Sequence, residues 1–150
     1  MLIEVKHPCV QAALTRLRDR ETAAKEFREQ VGTITGLLAF EALRNLEVEE
    51  VVVRTPLAEC DGWRIRSEVV VVPILRAGLG MLESILRLVP DARVGFIGLE
   101  RNEITAEPRE YYCTLPEATP DPFVLVIDPL LPTGGSLSPA IRLLWATGCR

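Results

Sequence analysis

The sequence has very little histidine, few aromatic residues and no long hydrophobic run. Its 150 residues include a single histidine, His7, and aromatic residues make up 5% of the chain. A Ser-His-Asp or Cys-His nucleophilic site within the chain would have to use this one histidine. The longest apolar run, Val69–Leu75, is far shorter than the roughly 20 apolar residues that a bilayer-spanning helix needs. We therefore expect no membrane partner.

The cysteines are also few and widely separated. No two of the four have the spacing of metal ligands, which argues against a zinc site. They are Cys9, Cys60, Cys113 and Cys149. We interpret them as reduced thiols of a cytoplasmic protein. The first eight residues favour the same location, because Glu4 and Lys6 stand where a signal peptide needs an apolar stretch.

The charge balance is mildly acidic. Lys and Arg total 17 and Asp and Glu total 21, giving a formal net charge of -4. This balance argues against a nonspecific nucleic-acid binder. The composition, 48% hydrophobic and 25% charged, is typical of a globular protein, and the length fits one domain. We expect residues 1–150 to form a single domain.

The first third of the chain has a helical pattern. A short helix is predicted over Cys9–Arg20, and a longer one from Thr22, its expected N-cap, to about Leu46. In the longer helix, apolar residues spaced by four, three and four positions share one face. These residues are Phe27, Val31, Ile34 and Leu38. We interpret this face as core or dimer packing.

A strand pair follows these helices. The β-branched residues Val51–Val53 predict one strand, and Trp63–Arg66 predict a return strand. Pro56 and the Asp61-Gly62 pair mark turns between them.

The remaining chain alternates buried strands with helices. Apolar runs without polar alternation are typical of strands buried on both faces of a parallel sheet. Such strands are predicted over Val69–Leu75, Arg93–Leu99 and Phe123–Ile127, helices over Met81–Leu88 and Leu137–Thr147, and an extended arm over Glu110–Leu115. This order predicts an α/β fold with a parallel sheet.

The segment from Asp128 to Ser136 carries the most chemistry. The last buried strand delivers the Asp128 carboxylate at its carboxyl end, where ligands of open α/β sheets bind. The turn Thr133-Gly134-Gly135-Ser136 then opens a helix, whose N-terminus attracts anions. This pattern predicts a phosphate-binding turn, with Asp128 accepting hydrogen bonds from sugar hydroxyls. No lysine follows the glycines, so this is not a Walker loop. An ordinary strand-to-helix turn is the alternative.

Two arginines occupy equivalent places after the other two strands. Arg76 follows the first buried strand and Arg101 the second. Because the carboxyl ends of parallel strands share one edge, both arginines and Asp128 are expected there together. Guanidinium groups bind diphosphate well, so the edge predicts a site for a sugar with a phosphate at one end and a pyrophosphate at the other. The alternative is that each arginine is an ordinary solvated surface residue.

Several segments together resemble the uracil phosphoribosyltransferase family. They are Val5–Pro8, Phe27–Glu29, Val72–Met81, Arg101–Glu103, Asp128–Leu131 and Thr133–Ser136, in family order. The resemblance implies a phosphoribosyltransferase-type parallel sheet flanked by helices, with an N-terminal helical segment and a β-arm. It also implies a glycosyltransferase that moves 5-phosphoribosyl from phosphoribosyl diphosphate (PRPP) to N1 of uracil, giving UMP and pyrophosphate.

The resemblance also implies roles for individual residues. Arg76 and Arg101 would contact the pyrophosphate and Asp128 the ribose hydroxyls, and these three are the expected catalytic residues. The PRPP-binding segment would continue through Pro129, Leu130, Leu131, Pro132, Thr133, Gly134, Gly135 and Ser136. Mg²⁺ is expected with the diphosphate, with no side-chain ligand assigned. A homodimer or larger homo-oligomer and a GTP effector are the further partners considered.

The sequence departs from the family pattern in three ways. Pro132 stands where alanine is expected, which removes one N–H donor and predicts weaker or reshaped phosphate binding. Glu100 stands where an aromatic residue is expected, so a carboxylate would compete with pyrophosphate for Arg101. The uracil-recognition segment and further strands are expected beyond residue 150, leaving the 1–150 domain incomplete at its C-terminus. Two alternatives stay open: a phosphoribosyltransferase for another base, and a relative that binds PRPP or a partner without catalysis.

Overall fold

The computed structural model describes residues 2–101, 108–117 and 121–147. Within these ranges helices and strands alternate as the sequence predicts for an α/β fold. In chain order they are α1 (Pro8–Arg18), α2 (Ala24–Ala42), β1 (Val48–Arg54), β2 (Glu59–Ile65), β3 (Val69–Leu75), α3 (Leu79–Leu86), β4 (Arg93–Val94), β5 (Phe96–Arg101), β6 (Pro108–Thr114), β7 (Phe123–Ile127) and α4 (Leu137–Ala146). None of these helices is long and apolar enough to cross a bilayer.

Strand β3 is the centre of the main sheet. It pairs in parallel with β7 along one edge and with β4 and then β5 along the other. Strand β6 adds to β5 in antiparallel register. The strand predicted over Arg93–Leu99 is divided at Gly95, whose N–H donates to the carbonyl of Val71 over 3.0 Å. The sheet is therefore parallel through its centre and antiparallel at the β6 edge.

The β-branched run of β3 is buried on both faces, as the absence of polar alternation predicts. Its alternate residues enter different apolar clusters because successive side chains of a strand point to opposite faces. One cluster joins Val69 and Val71 to residues of α2 and α3, among them Ala39 and Ile85. The other joins Val70, Val72 and Ile74 to Ile97 and to Ala140 and Leu144 of α4. Helical layers thus cover both sides of the strand.

Strands β1 and β2 form a separate antiparallel hairpin. The predicted turn at Asp61-Gly62 is wrong, because both residues lie inside β2 and pair with β1. The chain reverses instead between Arg54 and Glu59, where the Thr55 N–H donates to the Ala58 carbonyl over 2.9 Å. The hairpin exposes large apolar side chains, including Val52 (70% exposed) and Trp63 (68%).

The predicted cap of α2 is also wrong. The helix begins at Ala24 after Ala23, and no side chain caps it. The Thr22 hydroxyl donates instead to the carbonyl of Arg16 at the end of α1, over 2.6 Å. The helix ends at Ala42, four residues before the predicted end at Leu46.

The face of α2 predicted for core or dimer packing is not the buried face of this helix, so the core alternative is wrong and packing in a dimer stays a prediction. Thr35 and Ala39 are the fully buried residues of this helix, whereas Phe27 and Leu38 are 46% and 38% exposed. Small residues face inward because α2 packs closely on α3: a Cβ atom added at Gly32 would lie 3.1 Å from the Ser84 hydroxyl. The periodicity indicated a helix correctly, but the side facing the core followed from packing partners.

Candidate functional site

The predicted site residues follow strands that lie next to each other. In the β3–β7 pair, Pro73 lies opposite Ile127, and in the β3–β5 pair, Leu75 lies opposite Gly98. All three strands run in the same direction, so their carboxyl ends share one edge of the sheet. The turn after β3 and the loop after β7 therefore start side by side.

Arg76 lies in a tight turn between β3 and α3. The Gly78 N–H donates to the Ile74 carbonyl over 2.9 Å, which closes the turn around Arg76. The peptide bond between Leu75 and Arg76 is cis. Helix α3 begins at Leu79, two residues earlier than predicted, directly after this turn.

The Arg76 side chain is exposed and borders an open cavity of about 640 Å³. The cavity is lined by Leu75, Arg76, Ala77, Leu99, Glu100 and Tyr111. The guanidinium of Arg76 forms no ion pair with any residue that the structure describes, although Glu100 lines the same cavity. Its charge is therefore available to an anionic ligand.

Asp128 is half-buried and begins the loop after β7. Its carboxylate accepts a hydrogen bond from the Leu130 N–H over 3.3 Å, which ties it to its own loop. The next residues extend into solvent, with Leu130 72% and Leu131 59% exposed. A loop that exposes two leucines in this way gains nothing from core packing, so its shape depends on backbone and polar contacts.

The turn from Thr133 to Ser136 leads directly into α4. Gly134 has φ of +72°, a left-handed conformation that favours glycine. The Thr133 hydroxyl accepts from the Gly135 N–H over 3.4 Å, and the Gly134 carbonyl accepts from the Ser138 N–H over 2.9 Å. No side chain caps the helix, and Ser136 is exposed. The hydroxyls and the helix N-terminus therefore face solvent, as an anion site requires.

Arg101 and Pro132 are two further residues that the sequence assigns to the site. Arg101 was predicted to follow the second buried strand, but it is the last residue of β5, and its backbone pairs with Pro108 of β6. Its side chain lies outside the described part of the structure, as do Asn102 and Glu103. The competition predicted between Glu100 and pyrophosphate for Arg101 therefore stays a prediction. Pro132 is exposed in the loop before the turn.

The sequence did not identify two residues that shape this edge. Tyr111 lines the cavity beside Arg76 because β6 pairs with β5, and no pattern in the sequence gives that register. Gly78 follows β3 closely in the sequence, but the sequence does not show what lies next to its Cα. A Cβ atom there would lie 2.5 Å from the Ile127 carbonyl oxygen. The one sequence signal for this residue was a glycine two positions after a predicted site arginine.

Curated relatives match nearly the whole chain. The family described as uracil phosphoribosyltransferase matches residues 4–150. A uracil phosphoribosyltransferase of Wolinella succinogenes is 46% identical over 148 residues, which cover 98% of this chain and 71% of that protein. One from Salinibacter ruber is 47% identical over 144 residues, covering 96% and 69%.

Solved structures are similar in fold. A protein of Aquifex aeolicus superposes with a TM-score of 0.92 at 38% identity, over 99% of this chain and 72% of that one. A hypoxanthine-guanine phosphoribosyltransferase of Bacillus anthracis gives a TM-score of 0.57 at 17% identity, over 80% and 60%, and shows the fold alone. The α/β fold predicted from the sequence is thus confirmed as a phosphoribosyltransferase fold, and the chain belongs to the uracil phosphoribosyltransferase family.

Proposed function

We propose that this chain transfers the 5-phosphoribosyl group of PRPP to N1 of uracil, forming UMP and releasing pyrophosphate. The observation that carries the proposal is the parallel pairing of β3 with β7. That pairing sets the Arg76 turn beside Asp128 and the loop that leads into α4. Membership of the family supports uracil as the acceptor.

The reaction breaks one bond and forms another at C1 of the ribose. The C1–O bond to pyrophosphate breaks and its electron pair leaves on the oxygen, while the N1 lone pair of uracil forms the new C1–N bond and the N1 proton passes to solvent. Negative charge grows on pyrophosphate and positive charge on the ribose. The Arg76 guanidinium, exposed and without an ion pair among the described residues, would stabilise the departing charge. Electrostatic catalysis of this kind needs no histidine.

The loop after β7 would hold the rest of PRPP. Ionised Asp128 accepts hydrogen bonds, so it suits the two ribose hydroxyls. The exposed hydroxyls of Thr133 and Ser136 and the N-terminus of α4 suit the 5-phosphate. We propose Arg101 as a second pyrophosphate ligand on the strength of its place at the end of β5.

Mg²⁺ is the proposed metal. The described residues contain no group of three His, Cys, Asp or Glu side chains that would cage an ion. Mg²⁺ commonly binds through substrate phosphates and keeps several waters, so this edge fits an ion held by the diphosphate oxygens. When bound, it supplies neutralisation of the diphosphate charge. The arginine and hydroxyl groups of the chain would then orient the remaining oxygens.

We further propose that the protein works in the cytoplasm as a homodimer or larger homo-oligomer. The apolar side chains exposed on the β1–β2 hairpin support self-association, because Val52, Leu57 and Trp63 are each at least two-thirds exposed. Light scattering after size-exclusion chromatography measures the mass directly, and a monomer at micromolar concentration would contradict the proposal. GTP stays a predicted effector, tested by comparing initial rates with and without it.

The deciding experiment is UMP formation from PRPP and uracil by the purified full-length protein, with and without Mg²⁺. Orotate and hypoxanthine serve as competing acceptors. Formation of UMP and no other nucleotide supports the proposal, while a product from another base would reassign the acceptor. Calorimetric titration with PRPP and Mg²⁺ separates the remaining outcomes. Binding heat without UMP would assign the non-catalytic alternative, and a folded chain that gives neither would refute the site.

A further inference from the structure

The Arg76 turn rests directly on the peptide bond that precedes Asp128, and the contact is made at Gly78. A Cβ atom added to Gly78 would lie 2.5 Å from the Ile127 carbonyl oxygen. It would also lie 2.8 Å and 2.9 Å from the backbone nitrogen and oxygen of Ile74. These neighbours are backbone atoms, so no side chain can rotate away to make room.

Glycine is needed here for space, not for backbone freedom. Gly78 has φ of -61° and ψ of -20°, a right-handed helical conformation open to every L-amino acid. The left-handed glycine of this edge is Gly134, in the other loop. Substitution of Gly78 by alanine would thus leave the local conformation allowed and would act through the close contact alone.

The contact joins the two halves of the site. On one side is the turn closed by the Gly78 N–H and the Ile74 carbonyl, which encloses Arg76. On the other side is the Ile127 carbonyl, which shares its peptide plane with the nitrogen of Asp128. A methyl group inserted between them would have to move one of these two segments by about 1 Å, and displacements of that size can cost on the order of 100-fold in rate.

We propose that Gly78 is a positioning residue that sets the spacing between the Arg76 turn and Asp128. It touches no substrate; it acts by letting the two backbones approach. The kinetic part of this inference rests on the proposed function, since it assumes that Arg76 and Asp128 bind parts of the same PRPP molecule. The structural part, coupling between the two segments, does not depend on that function.

Gly80 provides a matched control two residues away. A Cβ atom added there would meet one atom, the Cγ1 of Val31, at 3.9 Å, which is an ordinary contact. Gly95 provides a control for packing strain elsewhere in the sheet. A Cβ atom there would lie 2.8 Å from the Leu115 side chain and 3.1 Å from the Thr114 carbonyl, at the junction of β4 and β5.

The test compares Gly78→Ala, Gly80→Ala and Gly95→Ala in the full chain. For Gly78→Ala we expect kcat/KM for PRPP to fall by about 10- to 100-fold, with the KM for uracil nearly unchanged. Gly80→Ala should match the parent chain. Gly95→Ala should lower the melting temperature without the selective loss in PRPP use. A KM for uracil that rises as much as the KM for PRPP, or the same loss of PRPP use in Gly95→Ala, would overturn the proposal.

Amide NMR spectra supply a readout that needs no catalysis. Gly78→Ala should shift the amide resonances of both Arg76 and Asp128, whereas Gly80→Ala should leave Asp128 unmoved. Changes confined to residues adjacent to position 78 in sequence would refute the coupling. A Gly78→Ala chain that does not fold would also overturn the proposal, because the glycine would then be a requirement of the sheet. Absence of UMP formation by the full-length parent protein would refute the proposed function and leave the NMR comparison to decide this inference.

Discussion

Pro73 lies opposite Ile127 in the parallel pair of β3 and β7, and β3 continues two residues further before it leaves the sheet. A proline is unusual in a central strand because it has no N–H for the ladder. Here it is fully buried and the strand continues past it to Leu75. The offset between the two strand ends determines where Arg76 stands relative to Asp128.

Replacement of Arg76 by alanine should remove most PRPP use with little effect on folding. The side chain is exposed and forms no ion pair among the described residues, so its loss removes no native contact of that kind. We expect kcat/KM for PRPP to fall by about 100- to 1000-fold, in the range typical of a lost electrostatic contact in the transition state. Arg142→Ala, an exposed arginine of α4, makes the same charge change and should leave the rate unaltered. Equal loss of melting temperature and activity in Arg76→Ala would indicate a structural role instead.

Replacement of Glu100 by glutamine should improve PRPP binding. Glu100 lines the same cavity as Arg76, and its negative charge opposes the entry of a diphosphate. We expect the KM for PRPP to fall by about two- to fivefold at low salt, with the difference shrinking as salt screens the charge. Glu59→Gln, on the hairpin, is the control for net charge. A KM that rises in Glu100→Gln would show that the carboxylate takes part in binding.

Replacement of Pro132 by alanine adds one backbone N–H to the loop between β7 and α4, where we propose that the 5-phosphate binds. Pro132 is exposed, so the change removes no core contact. If that N–H reaches the 5-phosphate, the Kd for PRPP should fall by about threefold to tenfold, the value of one ordinary hydrogen bond. Titration calorimetry measures it, and Pro90→Ala, in an exposed turn after α3, controls for the loss of a proline. An unchanged Kd for PRPP would indicate that only residues after position 132 bind the 5-phosphate.

Two glycines should respond to alanine in opposite directions. Gly134 has φ of +72°, where a Cβ atom costs about 1–2 kcal/mol, so Gly134→Ala should destabilise the chain and weaken PRPP binding. Gly36 lies inside α2 with nothing within 4 Å of an added Cβ, so Gly36→Ala should stabilise the chain by about 0.5–1 kcal/mol. Urea unfolding of both variants checks the signs. If Gly134→Ala leaves the free energy of unfolding unchanged, the turn adopts another conformation.

Cys113 on β6 should react with alkylating agents at higher pH than an ordinary thiol. Burial raises the pKa of Cys113, and the nearby charge of Glu110 raises it further. Because the thiolate is the nucleophile, the pH–rate profile for iodoacetamide should be displaced upward. Glu110→Gln should reverse only the smaller part of this upward displacement, because burial is the larger of the two causes. Mass spectrometry of the Cys113 peptide measures the rate, and a profile that ignores position 110 would contradict the assignment.

The sequence predicted best where one local signal dominated. Strands β3 and β7 have the predicted bounds, because a β-branched run without polar alternation has few other ways to fold. Helix α4 begins at Leu137 as predicted and ends one residue early, because the Thr133–Ser136 turn fixes its start. The order of strands and helices then sufficed to predict which strand ends meet.

Features that depend on distant contacts were not predictable. Asp61-Gly62 is a strong turn signal, yet cross-strand pairing with Val51 and Val52 keeps both residues in β2. The buried face of α2 depends on the close approach of α3, so large residues such as Phe27 remain exposed. The spacing of the Arg76 turn from Asp128 depends on a contact between backbone atoms. The pattern of side chains along the sequence does not predict such a contact.

Strand β3 separates the core into two compartments, one on each face of the sheet, because its alternate residues belong to different apolar clusters. Val69 and Val71 belong to the compartment of α2 and α3, while Val70, Val72 and Ile74 belong to that of α4. A change in side-chain volume at one position is therefore felt first by a single compartment. A volume change at Val69 or Val71 should therefore disturb the packing of α2 and α3 first, whereas one at Val70, Val72 or Ile74 should first disturb the helix that follows the Thr133–Ser136 turn.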